Sequence, residues 1–139
     1  MFAPDLITHA HFPTLPHTGL AWNLISGAWD SIFETIGETR NLRILDLSFN
    51  QAVGDKHTTA LADCVAQNAT LKTLDVSGCR LHNSASSVAE ALRENKSLET
   101  LMLDESAAQA TAEHVYTTDD FKCRLAVRCD GDEDGVYDI

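Results

Sequence analysis

Positive charge is scarce in this sequence. Its 139 residues include 10 Lys and Arg against 21 Asp and Glu, which gives a net charge of −11 at neutral pH. Such a chain repels the phosphates of duplex nucleic acid and the surface of anionic membranes, so neither is an expected partner. Basic proteins and metal cations suit this charge better, although solubility alone also accounts for it.

Paired cysteine motifs are missing as well. The four cysteines form no C-x-x-C pair and show no spacing typical of a disulfide framework or a zinc site. The first residues, MFAPDLITHAHF, have neither the basic segment nor the apolar run of a signal peptide. No apolar stretch approaches the roughly 20 residues of a membrane-spanning helix. We therefore expect a protein of the reducing cytoplasm.

Catalytic motifs are also lacking. The serines and histidines match no nucleophile motif, and there is no glycine-rich phosphate loop. His9 and His11 form an H-x-H pattern that could hold a metal together with His17, but surface histidines without this role are the more common case. The sequence predicts a protein without enzymatic activity and without a cofactor.

What the chain does contain is a repeated segment of ten residues. NLRILDLSFN at 41–50 returns as TLKTLDVSGC at 70–79 and as SLETLMLDES at 97–106. Three apolar columns run through the copies: Leu42, Leu71 and Leu98; Leu45, Leu74 and Leu101; Leu47, Val76 and Leu103. The first column recurs after 29 and then 27 residues. A period of this size predicts stacked repeats rather than a single closed core.

Each repeat is predicted to contain a strand, a turn and a helix. The last two columns alternate with other residues, as in a half-buried strand. Asn50 can bond the turn that leaves the strand, while Cys79 and Ser106 hold the same place with less support. Before each copy, apolar residues spaced four apart predict helices over 28–37, 57–67 and 85–93. Asn68 and Asn95 are suited to end two of them.

These motifs make the chain similar to leucine-rich repeat proteins, specifically the ribonuclease-inhibitor-like subtype, over about residues 31–106. The resemblance implies an α/β fold, a short solenoid with parallel strands on the concave face and helices on the convex face. It also implies a protein-interaction module. The same fold follows from connectivity, because parallel strands need a crossover and the helices supply it.

Three segments are expected along the chain. Residues 1–20 form an irregular leader, 21–129 the repeat domain and 130–139 an acidic tail. Trp22 and Trp29 lie two helical turns apart and predict a helical cap on the first edge of the sheet. The alternative is a docking surface there for a neighbouring domain or a second subunit. The segment KCRLAVRC at 122–129 predicts a degenerate fourth strand, with Leu125 and Val127 in the apolar columns.

Residues between the buried columns should point into the concave face. Asp46 and Asp75 would then lie side by side, about 4.8 Å apart, and repel one another mildly. A basic, partly apolar partner would relieve that repulsion, although Asp at this place can also be a structural feature of the repeat. The predicted partner-binding residues are Ile44, Asp46, Ser48, Phe49, Thr73, Asp75, Ser77, Thr100, Met102, Asp104 and Glu105.

Two other functions stay open. Asp130, Asp132 and Asp134, followed by Gly135, match the first half of an EF-hand loop and would make the protein a calcium-responsive regulatory subunit. The glutamate that completes such a loop does not follow, so we favour an acidic disordered tail. The chain can also be an incomplete part of a longer repeat scaffold, in which neighbouring repeats cover its edges.

Overall fold

A computed structural model describes residues 17–20, 28–115, 123–128 and 136–138. In these ranges the chain alternates between short strands and helices of 10 or 11 residues. The strands are β1 (His17–Gly19), β2 (Ile44–Asp46), β3 (Thr73–Asp75), β4 (Thr100–Leu103), β5 (Arg124–Arg128) and β6 (Val136–Asp138). The helices are α1 (Trp29–Glu38), α2 (Thr58–Gln67), α3 (Ala85–Glu94) and α4 (Glu105–Val115), and a short 3-10 helix, Asp55–His57, precedes α2.

The strands form one sheet in sequence order from β1 to β6. The first five are parallel, and β6 pairs antiparallel with β5. Leu45, Leu74, Leu101 and Leu125 stand in one register across β2 to β5. This register confirms the predicted columns, and it confirms β5 as the degenerate fourth strand.

Buried leucines hold the sheet to the helices. The nine column residues are all at most 7% exposed and join the apolar faces of the helices in one continuous cluster. Trp29 and Phe33 of α1 belong to it, with ring centroids 5.6 Å apart. Each helix packs on the next, from α1 to α4. The α/β fold with helices on one side of a parallel sheet is therefore confirmed.

The helices end where the sequence predicted. Thr39, Asn68 and Asn95 are the C-cap residues of α1, α2 and α3. Asn50 bonds the turn after β2, because its Nδ2 donates to the Leu47 carbonyl at 2.9 Å. The Cys79 Sγ takes the equivalent place in the next repeat and donates to the same carbonyl at 3.2 Å.

Three local features differ from the sequence prediction. Residues His17–Gly19, inside the expected irregular leader, form strand β1 and pair with β2. Residues Val136–Asp138, inside the expected disordered tail, form strand β6. After β4 the chain enters α4 at Glu105, so Ser106 lies in a helix rather than in a turn like that of Asn50. Helix α4 forms at once because its first turns, ESAAQA, combine good helix formers with an acidic residue at the N-terminus.

Candidate functional site

The candidate site is the concave face, the side of the sheet turned away from the helices. Strand register places Ile44, Thr73, Thr100 and Arg124 in one row across β2 to β5. A second row contains Asp46, Asp75, Met102 and Ala126. The structure thus brings these predicted residues together in the predicted order, because one register holds throughout the parallel sheet.

The first of these rows is partly open to solvent. Ile44 is 41% exposed, and it is the exposed large apolar side chain among the residues that the structure describes. Thr73 and Thr100 beside it are half-buried, and so is Met102 of the second row. Contiguous apolar patches rimmed by polar residues are typical of surfaces that bind other proteins. On these two rows, Ile44 and the half-buried Met102 are the accessible apolar side chains among threonines and aspartates.

The aspartates of the second row behave differently from the prediction. The Asp46 Oδ1 accepts hydrogen bonds from the backbone N–H of Ser48 at 2.9 Å and from its hydroxyl at 2.6 Å. The Asp75 Oδ1 accepts the equivalent bonds from the N–H and hydroxyl of Ser77. Both carboxylates therefore close the turn at the end of their own strand.

Three predicted contact residues are buried as a result. Ser48 is 0%, Asp75 2% and Ser77 3% exposed. Their expected exposure on the concave face is therefore corrected. The alternative interpretation, that Asp at this position is a structural feature of the repeat, accounts for the hydrogen bonds of Asp46 and Asp75.

The remaining predicted residues lie around the turns at the end of the rows. Phe49 is half-buried with φ 61, and it lies against Gly78, the equivalent residue of the next repeat. The Asp104 Oδ1 accepts a hydrogen bond from the Gly78 N–H at 2.7 Å, which links the third repeat to the second. Glu105 is exposed at the start of α4.

The carboxylates of this region also act on a buried thiol. The pKa of Cys79 is raised to about 12, mainly by burial, and the negative charges of Asp104, Asp75 and Asp46 contribute in the same direction. The hydrogen bond that the Asn50 N–H donates to the Cys79 sulfur acts in the opposite direction and lowers the pKa. A thiol in this environment stays protonated and is a poor nucleophile or metal ligand.

Sequence reasoning missed one row of residues, which directly precedes strands β2, β3 and β4. Arg43, Lys72 and Glu99 precede the first row and lie side by side, since the Lys72 N–H donates to the Arg43 carbonyl at 2.7 Å and the Glu99 N–H to the Lys72 carbonyl at 2.9 Å. Each follows a leucine of the first column, which is the signal that could have identified them. This row carries two positive charges, at Arg43 and Lys72, and one negative charge, at Glu99.

Several other candidates fall outside the site. Trp29 is 0% exposed and so offers no docking surface, while Trp22 lies outside the described residues. Asp130, Asp132 and Asp134 also lie outside them, as do His9 and His11. The described ranges contain no group of acidic, histidine and cysteine side chains arranged to hold a metal ion. Within the same ranges, no helix has the length and apolar character to cross a membrane.

Comparisons with known proteins agree with this architecture. A family model described as Leucine Rich repeat matches residues 39–56 and 67–85. No curated protein sequence matches the chain. Among solved structures, the chain is similar to actin-binding site 2 of leiomodin-1, with 14% identity and a TM-score of 0.69 over 91% of this chain and 78% of that one. At this identity, the similarity concerns the fold alone.

Proposed function

We propose that this chain, which carries leucine-rich repeats at residues 39–56 and 67–85, is a protein-interaction module whose partner lies across the concave face over Ile44, Thr73 and Thr100. The exposure of Ile44, at 41%, is the observation that carries the proposal. Side chains at the centre of protein interfaces are mainly apolar, and their burial supplies most of the binding energy.

The form of the face supports side-chain recognition. Strands β2, β3 and β4 each have a neighbouring strand on both sides, so their backbone groups are already paired. A partner therefore cannot add a strand between them, and it must contact the projecting side chains. Rows of projecting side chains on a rigid sheet are suited to an extended or helical protein segment.

The partner is not named by these residues. Leiomodin-1 has an actin-binding site with this fold, which makes actin a reasonable first protein to test. We also place the protein in a reducing compartment such as the cytoplasm, because the described cysteines, Cys64, Cys79 and Cys123, are buried free thiols. The proposal involves no catalytic step.

The test compares three proteins: the wild type, the Ile44→Asp/Thr73→Arg variant and a Ser86→Arg control. Ser86 is exposed on α3, away from the sheet. Actin is offered first, and cell lysate second, with each variant checked for folding by circular dichroism. We expect the double substitution to weaken partner binding by about thirtyfold, equivalent to about 2 kcal/mol, and the control to bind like the wild type. Equal binding by all three proteins would show that the partner lies elsewhere.

A further inference from the structure

Two positive charges, those of Arg43 and Lys72, lie close to Ile44, and the exposed Glu99 carboxylate lies next to Lys72. Arg43 is exposed, and its Nη1 donates only one long bond, 3.4 Å, to the Thr70 carbonyl. Lys72 beside it forms an ion pair with Glu99 at 3.3 Å. Among the ion pairs of the described residues, none includes Arg43. A guanidinium carries five N–H donors, so most of this group's bonding capacity is available to a ligand.

The carboxylates that could oppose Arg43 are directed elsewhere. Asp46 bonds the Ser48 turn, and Asp75 is only 2% exposed. Asp104 accepts a hydrogen bond from Gly78 in the turn region. A basic partner would therefore meet Arg43 and Lys72 beside Ile44. The accessible carboxylate of that row is Glu99, whose side chain is 71% exposed and already pairs with Lys72.

The net charge of −11 acts against an acidic partner only at long range. In about 0.15 M salt, interactions between exposed charges are largely screened beyond roughly 8 Å. Contact between Arg43 and a carboxylate takes place well inside this distance, and a guanidinium can bind a carboxylate through two parallel hydrogen bonds. Net charge thus slows association, while the local geometry decides which charge the face accepts.

We infer that the segment bound by this face carries an acidic side chain next to an aliphatic one, with the carboxylate on Arg43 and the aliphatic group on Ile44. The inference rests on the proposed function and specifies the chemistry of its partner. Thr73 and Thr100 continue the row, and their hydroxyls can hydrogen-bond the backbone of the bound segment. The partner predicted from the sequence was basic, and this assignment replaces it.

The experiment is a selection from a displayed library of random peptides of about nine residues. Such a peptide extends over about 30 Å, which is enough to cross β2 to β5 at about 4.8 Å per strand. Selection is run in parallel on the wild type and on the Arg43→Glu, Ile44→Asp and Lys56→Glu variants. Lys56 is exposed in the 3-10 helix, so its substitution makes the same charge change away from the face.

Peptides enriched on the wild type should pair Asp or Glu with Val, Ile or Leu. The Arg43→Glu variant should instead enrich Lys or Arg beside the same aliphatic residue, while Lys56→Glu should enrich the wild-type peptides. A synthetic acidic peptide from the selection should bind Arg43→Glu roughly tenfold more weakly than it binds the wild type, as for loss of one charge-assisted pair.

Two other results would overturn the inference in distinguishable ways. If the enriched peptides are basic or indifferent to charge but still require Ile44, the inference is wrong and the proposed function stands. If no peptide depends on Ile44, or the wild type enriches none, both are wrong.

Discussion

Buried asparagines connect consecutive repeats at the residue scale. The Asn68 Nδ2 donates to the Ile36 carbonyl of the preceding repeat at 2.8 Å, and its Oδ1 accepts from the N–H groups of Thr70 and Leu71 at 2.8 and 2.7 Å. Asn95 makes the equivalent hydrogen bonds one repeat later: its Nδ2 donates to the Val65 carbonyl, and its Oδ1 accepts from the Leu98 N–H. Each asparagine side chain thus hydrogen-bonds backbone groups of two consecutive repeats, in the segment between a helix and the next strand.

Replacing Asn68 by Ala should lower the free energy of unfolding by about 2–4 kcal/mol, because several buried backbone groups lose their partner at once. Urea denaturation followed by circular dichroism measures this change. Asn41 is exposed just before β2 and provides the matched control, since Asn41→Ala should stay within about 0.5 kcal/mol of the wild type. Similar values for the two variants would contradict a structural role for the Asn68 bonds.

Phe49 and Gly78 show how one turn position tolerates different residues. Both have positive φ, 61 for Phe49 and 70 for Gly78. Position 78 is restricted to glycine, because a Cβ on Gly78 would lie 2.5 Å from the Cδ1 of Phe49. A bulky residue in the left-handed region is strained by roughly 1–3 kcal/mol. At Phe49 this strain is offset by packing of the ring over Gly78.

At the scale of elements, the edge of the sheet beside β5 is closed by an antiparallel strand. Strand β6 pairs Val136 with Arg128 and Asp138 with Ala126. A further parallel repeat cannot pair with the same edge of β5, so a longer repeat scaffold could not extend by direct stacking there. Open strand edges attract other strands, and proteins commonly cover them to prevent association.

Removal of residues 136–139 should therefore lower the thermal midpoint and produce concentration-dependent association through the uncovered edge of β5. Light scattering after size exclusion, over a range of protein concentrations, measures the association. A variant that lacks Ile139 alone keeps all of β6 and is the control. A monomer of unchanged stability after the longer truncation would show that β6 does not protect this edge.

At the scale of the whole molecule, one core spans all the repeats and includes three thiols. Burial raises the pKa of Cys64 to about 12, and burial raises that of Cys123 to about 12 as well. Cys79 has a pKa of about 12 for the same main reason. These thiols lie at successive places along the apolar cluster, so their protonation depends on the folding of the entire domain.

Stability should therefore fall in alkaline solution. In the unfolded chain a thiol loses its proton above about pH 8.5, whereas in the folded core it keeps the proton up to about pH 12. The stabilisation is complete below the unfolded pKa and is lost as pH rises towards the folded pKa. Each thiol should lower the free energy of unfolding by about 1.4 kcal/mol per pH unit in this window.

Urea denaturation at several pH values between about 8 and 9.5 measures the slope below the ordinary pKa values of tyrosine, about 10, and lysine, about 10.4. The Cys64→Ala variant should show a mean slope smaller by about 1 kcal/mol per pH unit, because the unfolded thiol is only partly ionised near pH 8.5. Identical slopes for the variant and the wild type would mean that the Cys64 thiol ionises equally readily in the folded and unfolded states.

Much of this architecture could be predicted from the sequence by itself. The spacing of Leu45, Leu74 and Leu101 determines the register of the strands, because residues two apart on a strand face the same side and every repeat must bury the same positions. The helices follow from apolar residues four apart, and their ends from Asn68 and Asn95. These signals are local and periodic, so a single sequence contains them in full.

The character of the candidate site was decided only by tertiary structure. Periodicity placed Asp46 and Asp75 on the concave face, but their hydrogen bonds to Ser48 and Ser77 depend on how each turn folds in three dimensions. Pairing of β6 with β5 likewise has no periodic signal, since it joins an antiparallel strand to a parallel array. Folding thus directs the carboxylates of Asp46 and Asp75 to their own turns, while Arg43, Lys72 and Glu99 supply the exposed charges beside Ile44.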